Sequence, residues 1–423
     1  MKVNNEKHNE PLIHLTRRAY MSPWKALGIR GIAIVASLIV SGIVAFILIE
    51  KLSANPERIF DFYKCFIDGS FSSEGMAWKF FKNVAILLCI ALALTPAFRM
   101  RFWNIGAEGQ VLMGMLGAIA VAKAGASLPN WLVLILMFLA AVLFGIVWAG
   151  IPAIFKAFFN TNETLFTLMM NYVATYFVSY MLLVWVPSGN AMGIVNQDTH
   201  IGWLPTVIHN YFLIIMVVLI LTGMLFVYLN YTKHGYEISV VGESNNTARY
   251  IGINVKKVIL RTMILSGALC GVAGFLMASG LDHSITSTSV NGQGFTAIMV
   301  SWLANFNPLI MIATSGLIVF LDMGGSKISE VFDVRGAMPN IIIGIILFFI
   351  IGCEFFIRYK INFRKKETVA ANSNPEPVPV PVTDNQEANT EESNDEDEMP
   401  EIESTDEETN EETDEETNKK EDN

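Results

Sequence analysis

Asn104, Glu108 and Gln110 stand together at the head of one apolar, glycine-spaced run, FWNIGAEGQVLMGMLGA, from Phe102 to Ala118. A carboxylate in or beside hydrocarbon is costly, so its default reading is functional. Glu108 has two readings. In the first turn of a helix it is favoured by the N-terminal dipole by about 0.3–1 kcal/mol. Along a solute pathway it is a polar anchor or gate element. Asn104 and Gln110 share both readings. Asn162, Glu163 and Asn171 open and line a later apolar run; a mid-run amide there either glues helices together or touches solute. Covalent chemistry has no comparable support. No GxxxxGKS or GxxxxGKT phosphate loop, HExxH or GxSxG occurs. The nearest string, GGSKIS from Gly324, has the wrong spacing, and the six histidines lie outside the apolar runs without ligand spacing.

The elements that position these residues read as membrane helices. Of 423 residues 52% are hydrophobic, too apolar for a soluble chain. A span needs about 20 apolar residues. Eight runs are at or near that length: Gly31–Ile49, Trp103–Ala122, Trp131–Phe155, Thr164–Val186, Tyr211–Asn230, Leu260–Gly280, Leu309–Met323 and Asn340–Ile357. Val84–Phe98 and Gly294–Ala304 are shorter or more polar, and with them the fold class is an all-α polytopic membrane protein of about ten crossings. Val84–Phe98 is either a lightly tilted span that borrows flanking residues or half of a helix broken at Pro96, which would carry the Asn104–Gln110 segment deeper.

Charge orients the spans. With the N terminus cytoplasmic, inner segments hold 19 Lys and Arg against 8 in outer segments, as the positive-inside rule requires. Five of the eight fall in the first outer loop, between Lys51 and Lys82. Orientation explains the basic residues without nucleic acid. The net charge of −10 divides unevenly: residues 367–423 carry 22 acids against Lys419 and Lys420, leaving the rest net positive. The chain is therefore read as a cytoplasmic segment 1–30, a membrane domain 31–366 and a disordered acidic tail 367–423, whose composition buries too little apolar surface to order itself. Cys89, Cys270 and Cys353 sit in apolar runs and Cys65 in a loop, without metal or redox spacing. No small-residue cleavage site follows the first apolar run, which reads as an uncleaved span.

Residues 231–258 form the large inner loop. Ser244, Asn245 or Asn246 can cap a short helix through Arg249 and Tyr250 that stops at Gly252. Gly106, Gly109, Gly114 and Gly117, with Gly267, Gly271 and Gly274, recur at intervals that let helices approach closely in lipid.

The run from Phe102, NETLFTLMMNYVATYF from Asn162, GYEISVVGESNNTARYIGINVKK with LSGALCGVAGFLMASG, and GFTAIMVSWLANFNPL from Gly294 together resemble the ordered signatures of ABC-importer permeases for nucleosides and simple sugars. These are relatives of the ribose and branched-chain amino acid permeases. The resemblance implies a type II importer fold of ten helices in the plasma membrane, with both termini cytoplasmic. It implies two cytoplasmic ABC ATPase subunits, a second, homologous permease in a heterodimer, and an extracellular substrate-binding lipoprotein. The chain itself would be no enzyme and need no cofactor or metal. Purine nucleosides are the implied small-molecule substrate, with simple sugars and branched-chain amino acids as alternatives. Trp103, Asn104, Glu108, Gln110, Asn162, Glu163, Asn171 and Phe295 become candidates for the substrate pathway. Trp103, Phe166, Tyr172 and Phe295 could stack a nucleobase, though aromatics also serve packing and membrane anchoring. Glu237, Gly242, Asn245, Arg249 and Gly252 become the ATPase-docking loop. A self-sufficient ion-coupled transporter or channel is the rival class, weakened by how few acids lie within the spans; a scaffold built around the acidic tail is another.

Overall fold

A computed structural model describes residues 13–17, 22–49, 52, 54–186, 192–334 and 338–363. Strand β1 (Ile13–Arg17) precedes α1 (Pro23–Leu48). A 3-10 turn (Pro56–Arg58) leads into α2 (Ile59–Phe71), followed by α3 (Glu74–Arg99), α4 (Ala107–Ala124), α5 (Asn130–Phe159) and α6 (Glu163–Trp185). Then come α7 (Phe212–Tyr231), the short α8 (Lys233–Glu243) and α9 (Asn245–Tyr250), and α10 (Val255–Met277), extended by a π turn to Asp282. Finally α11 (Gln293–Leu303), α12 (Pro308–Phe332), α13 (Met338–Arg358) and β2 (Tyr359–Phe363) complete the order. Among the described residues, eight helices are long and apolar enough to cross a membrane: the chain is an all-α, multi-pass membrane protein. The acidic tail lies outside the described residues.

Of its two readings, Val84–Phe98 follows the one in which the span borrows flanking residues, and the helix does not break at Pro96. The run is the buried part of α3, 26 residues long, which at 1.5 Å per residue is about 39 Å. The polar first turns around Trp78, Lys79 and Lys82 hide its start from a hydropathy reading, and Pro96 falls in the last turn. Gly294–Ala304 forms the 11-residue α11, about 16 Å and only half of a hydrocarbon core. The first outer loop contains α2 and the opening of α3. Phe62 and Phe66 of α2 are buried, and Phe66 packs where a Cβ on Gly324 of α12 would sit. GGSKIS is thus helical, and Cys65 is buried within α2.

The core is α3, apolar on every side and buried from Ala85 to Phe98, as an all-round hydrophobic helix must be. Around it pack α10, α11, α12 and α7, and beside it α4, α5 and α10 pack on one another through small residues. A Cβ on Gly114 would lie 2.8 Å from the Gly271 Cα, and one on Gly145 would strike the Gly267 carbonyl. The predicted glycine spacing is helix packing. α1 packs on α13, and β1 pairs antiparallel with β2, Ile13 opposite Phe363 and Arg17 opposite Tyr359. The first and last elements therefore share one face. α1 leaves that face, and α3 returns to it at Arg99, whose guanidinium donates to the Leu229 carbonyl and the Asn230 side chain at the end of α7. Helices α8 and α9 lie on the same face.

Candidate functional site

Between α3 and α4 the chain turns back into the protein. Asn104 and Gln110, both buried, form a reciprocal amide pair: Asn104 Nδ2 donates to Gln110 Oε1 at 3.3 Å and Gln110 Nε2 to Asn104 Oδ1 at 3.1 Å. Asn104 also donates to Ser266 Oγ of α10 at 3.2 Å and accepts from the Gly106 amide. From α6, Asn171 Oδ1 accepts from the Gly109 amide and Nδ2 donates to the Ile105 carbonyl, both at 2.9 Å. Thr167 Oγ1 accepts from the Ile105 amide. Buried polar groups need such partners, and the first turn of α4 takes one of its from another helix. Ser266 lies eleven residues into α10 and Asn171 eight into α6, so this polar knot sits about 12–16 Å along those helices from their N-terminal ends.

Glu108 joins the knot to α11. Its Oε1 accepts from the Gly292 amide at 2.7 Å and its Oε2 from the Gly294 amide at 2.8 Å. One carboxylate thus lies in the first turn of α4 and across the N terminus of α11, facing two positive dipole ends. Glycine is required on the α11 side: Gly292 has φ +75°, and a Cβ on Gly294 would stand 2.5 Å from the Glu108 amide. The helix-end reading of Glu108 describes this geometry.

The other pathway candidates fall in two places. Trp103 is partly exposed, its ring 5.2 Å from Trp302 and 5.8 Å from Phe98. It lines a cavity of about 660 Å³ with Phe98, Met299, Trp302, Phe306 and Phe355. Phe295 is exposed on the first turn of α11. Asn162 and Glu163 are not brought to Glu108. Asn162 caps α6, accepting from the Thr164 and Leu165 amides, and Glu163 pairs with Lys156 at 2.8 Å. Glu163 and Lys156 share a cavity with Arg101, Gly242 and Ser244. Sequence reasoning missed Thr167, Ser266, Gly292 and Gly294. The local signal was the Gly292-Gln293-Gly294 spacing at the head of the run GFTAIMVSWLANFNPL.

The elbow is α8 and α9. Ser244 ends α8 and caps α9, accepting from the Thr247 amide, and Gly252 stops the turn with φ +83°. Ile238, Val241 and Ala248 are buried, while Asn245, Arg249 and Tyr250 are exposed. A Cβ on Gly242 would strike the Arg99 carbonyl, so this glycine lets α8 rest on the end of α3. Glu237 accepts from Arg261 Nη2 at 2.8 Å with His234 nearby. That hydrogen bond, reinforced by the Arg261 and His234 charges, holds its carboxyl below the usual carboxylate range.

A buried polar knot within a helical bundle, with a half-helix clamped to it and a two-helix elbow at one face, defines a membrane transport component. The chain belongs to the family described as branched-chain amino acid transport system / permease component, whose profile matches residues 77–351. It is 28% identical to the glucose ABC transporter permease protein TsgB13 of Haloferax volcanii, over 82% of this chain and 93% of that protein. It is 27% identical to the guanosine ABC transporter permease protein NupP of Bacillus subtilis, over 72% and 89%. With the nucleoside ABC transporter permease protein NupB of Lactococcus lactis it shares 25%, over 64% and 77%.

Proposed function

We propose that this permease conducts nucleosides inward across the plasma membrane, driven by two separate ABC ATPase subunits on the face that bears the elbow. That face and both termini are cytoplasmic, a reading supported by the surplus of Lys and Arg in the segments assigned to it. A second, homologous permease and an extracellular substrate-binding lipoprotein complete the importer, and ATP hydrolysis belongs to the ATPases. The observation that carries the mechanism is the elbow's division of labour. Gly242 seats it on α3 and Glu237 ties it to α10, while Asn245 and Arg249 face outward. An ATPase that moves the elbow moves the ends of two core helices, and α10 carries Ser266 of the polar knot. Closure of the ATPase pair is thereby transmitted to the bundle as a rocking of packed helices.

Within the bundle, Asn104, Gln110 and Asn171 shape the loop, Glu108 fixes α11, and Trp103 and Phe295 border the solute's route. Asn162 and Glu163 border its inner end. The substrate class rests on relatives named for guanosine and nucleosides; the relative named for glucose supplies the alternative. The test is uptake into proteoliposomes holding this chain, its partner permease, ATPases and binding protein. ATP-dependent guanosine accumulation is expected. Accumulation of glucose but not guanosine would assign it to sugars, and uphill uptake by this chain alone, without ATP, would overturn the reading.

A further inference from the structure

Helix α6 has two unlike faces. One buries Thr167, Asn171, Ala174, Val178 and Leu182 against the loop and α4. The other carries Tyr172, Tyr176 and Tyr180, which are 61%, 73% and 61% exposed. Their spacing of four residues stacks them in one column. No described group hydrogen-bonds to their hydroxyls. From the helix start at Glu163 they stand nine, thirteen and seventeen residues in, about 14, 20 and 26 Å along the axis. That range covers the middle of a hydrocarbon core. Lipid-facing tyrosines belong in the belts at the two interfaces, and a hydroxyl in hydrocarbon without a partner is costly. The column therefore does not face lipid.

A close helix–helix contact is also a poor fit. Where helices of this protein meet tightly, as at Gly114–Gly271 and Gly145–Gly267, both sides are glycine. The exposed column of α6 is built of large side chains throughout, with Met169 below the tyrosines and Leu183 above. Each tyrosine offers an apolar ring and a polar tip. That pairing matches a solute with a planar ring at one end and hydroxyls at the other.

We propose that Tyr172, Tyr176 and Tyr180 form a binding surface for a planar, hydroxyl-bearing solute, along which a nucleoside passes through the membrane. The proposal rests on the nucleoside reading above and deepens it. The rings stack the base and the hydroxyls exchange hydrogen bonds with the ribose. On the reverse face of the same helix Asn171 grips the loop that carries Glu108, so movement of the knot moves the column.

The test uses the full importer in membranes. Cys65, Cys89, Cys270 and Cys353 are all buried, so Y176C gives this chain one accessible thiol, read on this subunit alone after a charged thiosulfonate reagent is applied at both membrane faces. Labelling is expected, because a water-exposed thiol ionises and reacts, and guanosine with its binding protein should slow it. In uptake, Y176A should lose about tenfold in guanosine transport, the scale of one lost base-stacking partner, with Y176F in between. Co-purification with the partner permease and the ATPases should persist in both variants. An unlabelled Y176C, unchanged transport by Y176A, or loss of the partner permease from Y176A would each overturn the proposal, the last by making the column a subunit contact. A wild-type importer that carries only another solute, even where Y176C is labelled, would remove the nucleoside reading itself, and this proposal with it.

Discussion

The polar knot and the elbow are both hydrogen-bonded turns at helix ends, but they use their polar residues in opposite ways. In the knot, Asn104, Gln110 and Asn171 are each other's partners or the partners of nearby backbone, and almost nothing is left over for solvent. Low dielectric strengthens such bonds and makes any vacancy expensive. In the elbow, Ile238, Val241 and Ala248 turn inward and Arg249 and Tyr250 turn out. The knot therefore preserves geometry inside the chain, while the elbow, in the docking role proposed for it, presents its exposed residues to the ATPase. Removing a knot residue should damage the protein itself; removing an outward elbow residue should damage only its coupling.

The largest expected effect is from Asn171→Ala. It strands the Gly109 amide and the Ile105 carbonyl, at about 1–3 kcal/mol for each buried group. Thermal unfolding of the detergent-solubilised permease should shift strongly downward and the yield of folded protein should fall. An unchanged melting temperature would show that the knot tolerates vacancies and would erase the contrast with the elbow. Glu108→Gln comes next. The amide keeps one acceptor oxygen, so Gly292 or Gly294 loses its partner. A hydrogen bond to a charged group is worth about 1.5–3 kcal/mol, so guanosine uptake should drop by more than about tenfold while the complex still assembles. Full transport by this variant would reduce Glu108 to a passive helix-end residue.

The same contrast explains what the sequence reveals. The elbow is local chemistry: the Ser244 cap, the short helix through Tyr250 and the stop at Gly252 are all readable from neighbouring residues, and all occur. The glycine intervals are readable too, because close packing needs small residues whatever the partner. The clamp is not readable. Glu108 and Gly292 are 184 positions apart, and no periodicity specifies which helix N terminus a carboxylate will meet. α2 is missed because 13 residues mixing Asp61, Lys64 and Asp68 with aromatics resemble a loop, although its buried face is clear once α12 is beside it.

On the elbow the expected effects are smaller and confined to coupling. Arg249→Glu reverses an exposed charge, worth about 1 kcal/mol or roughly fivefold if it meets an acidic partner. Substrate-stimulated ATPase activity should fall by that amount, with the protein still in the membrane at normal levels. Loss of the folded protein instead would make Arg249 a structural residue and blur the division between the two regions.

The smallest effect belongs to the one elbow ion pair that looks inward. Glu237 is held to Arg261 with its carboxyl below the usual range. A carboxyl depressed in the folded state lends stability that is fully present above its unfolded value, near 4.3, and is lost as pH falls through the lower folded value. Hydrogen exchange along Lys233–Glu243 should therefore be flat from pH 7 down to about 5 once corrected for intrinsic rates. Below that it should accelerate as Glu237 takes up its proton and releases Arg261. In Glu237→Gln the elbow should exchange faster at neutral pH and lose most of this acid step. An acid step of equal size in the variant would place the titrating group elsewhere, and the elbow's attachment to α10 would then rest on Val241 and its apolar neighbours alone.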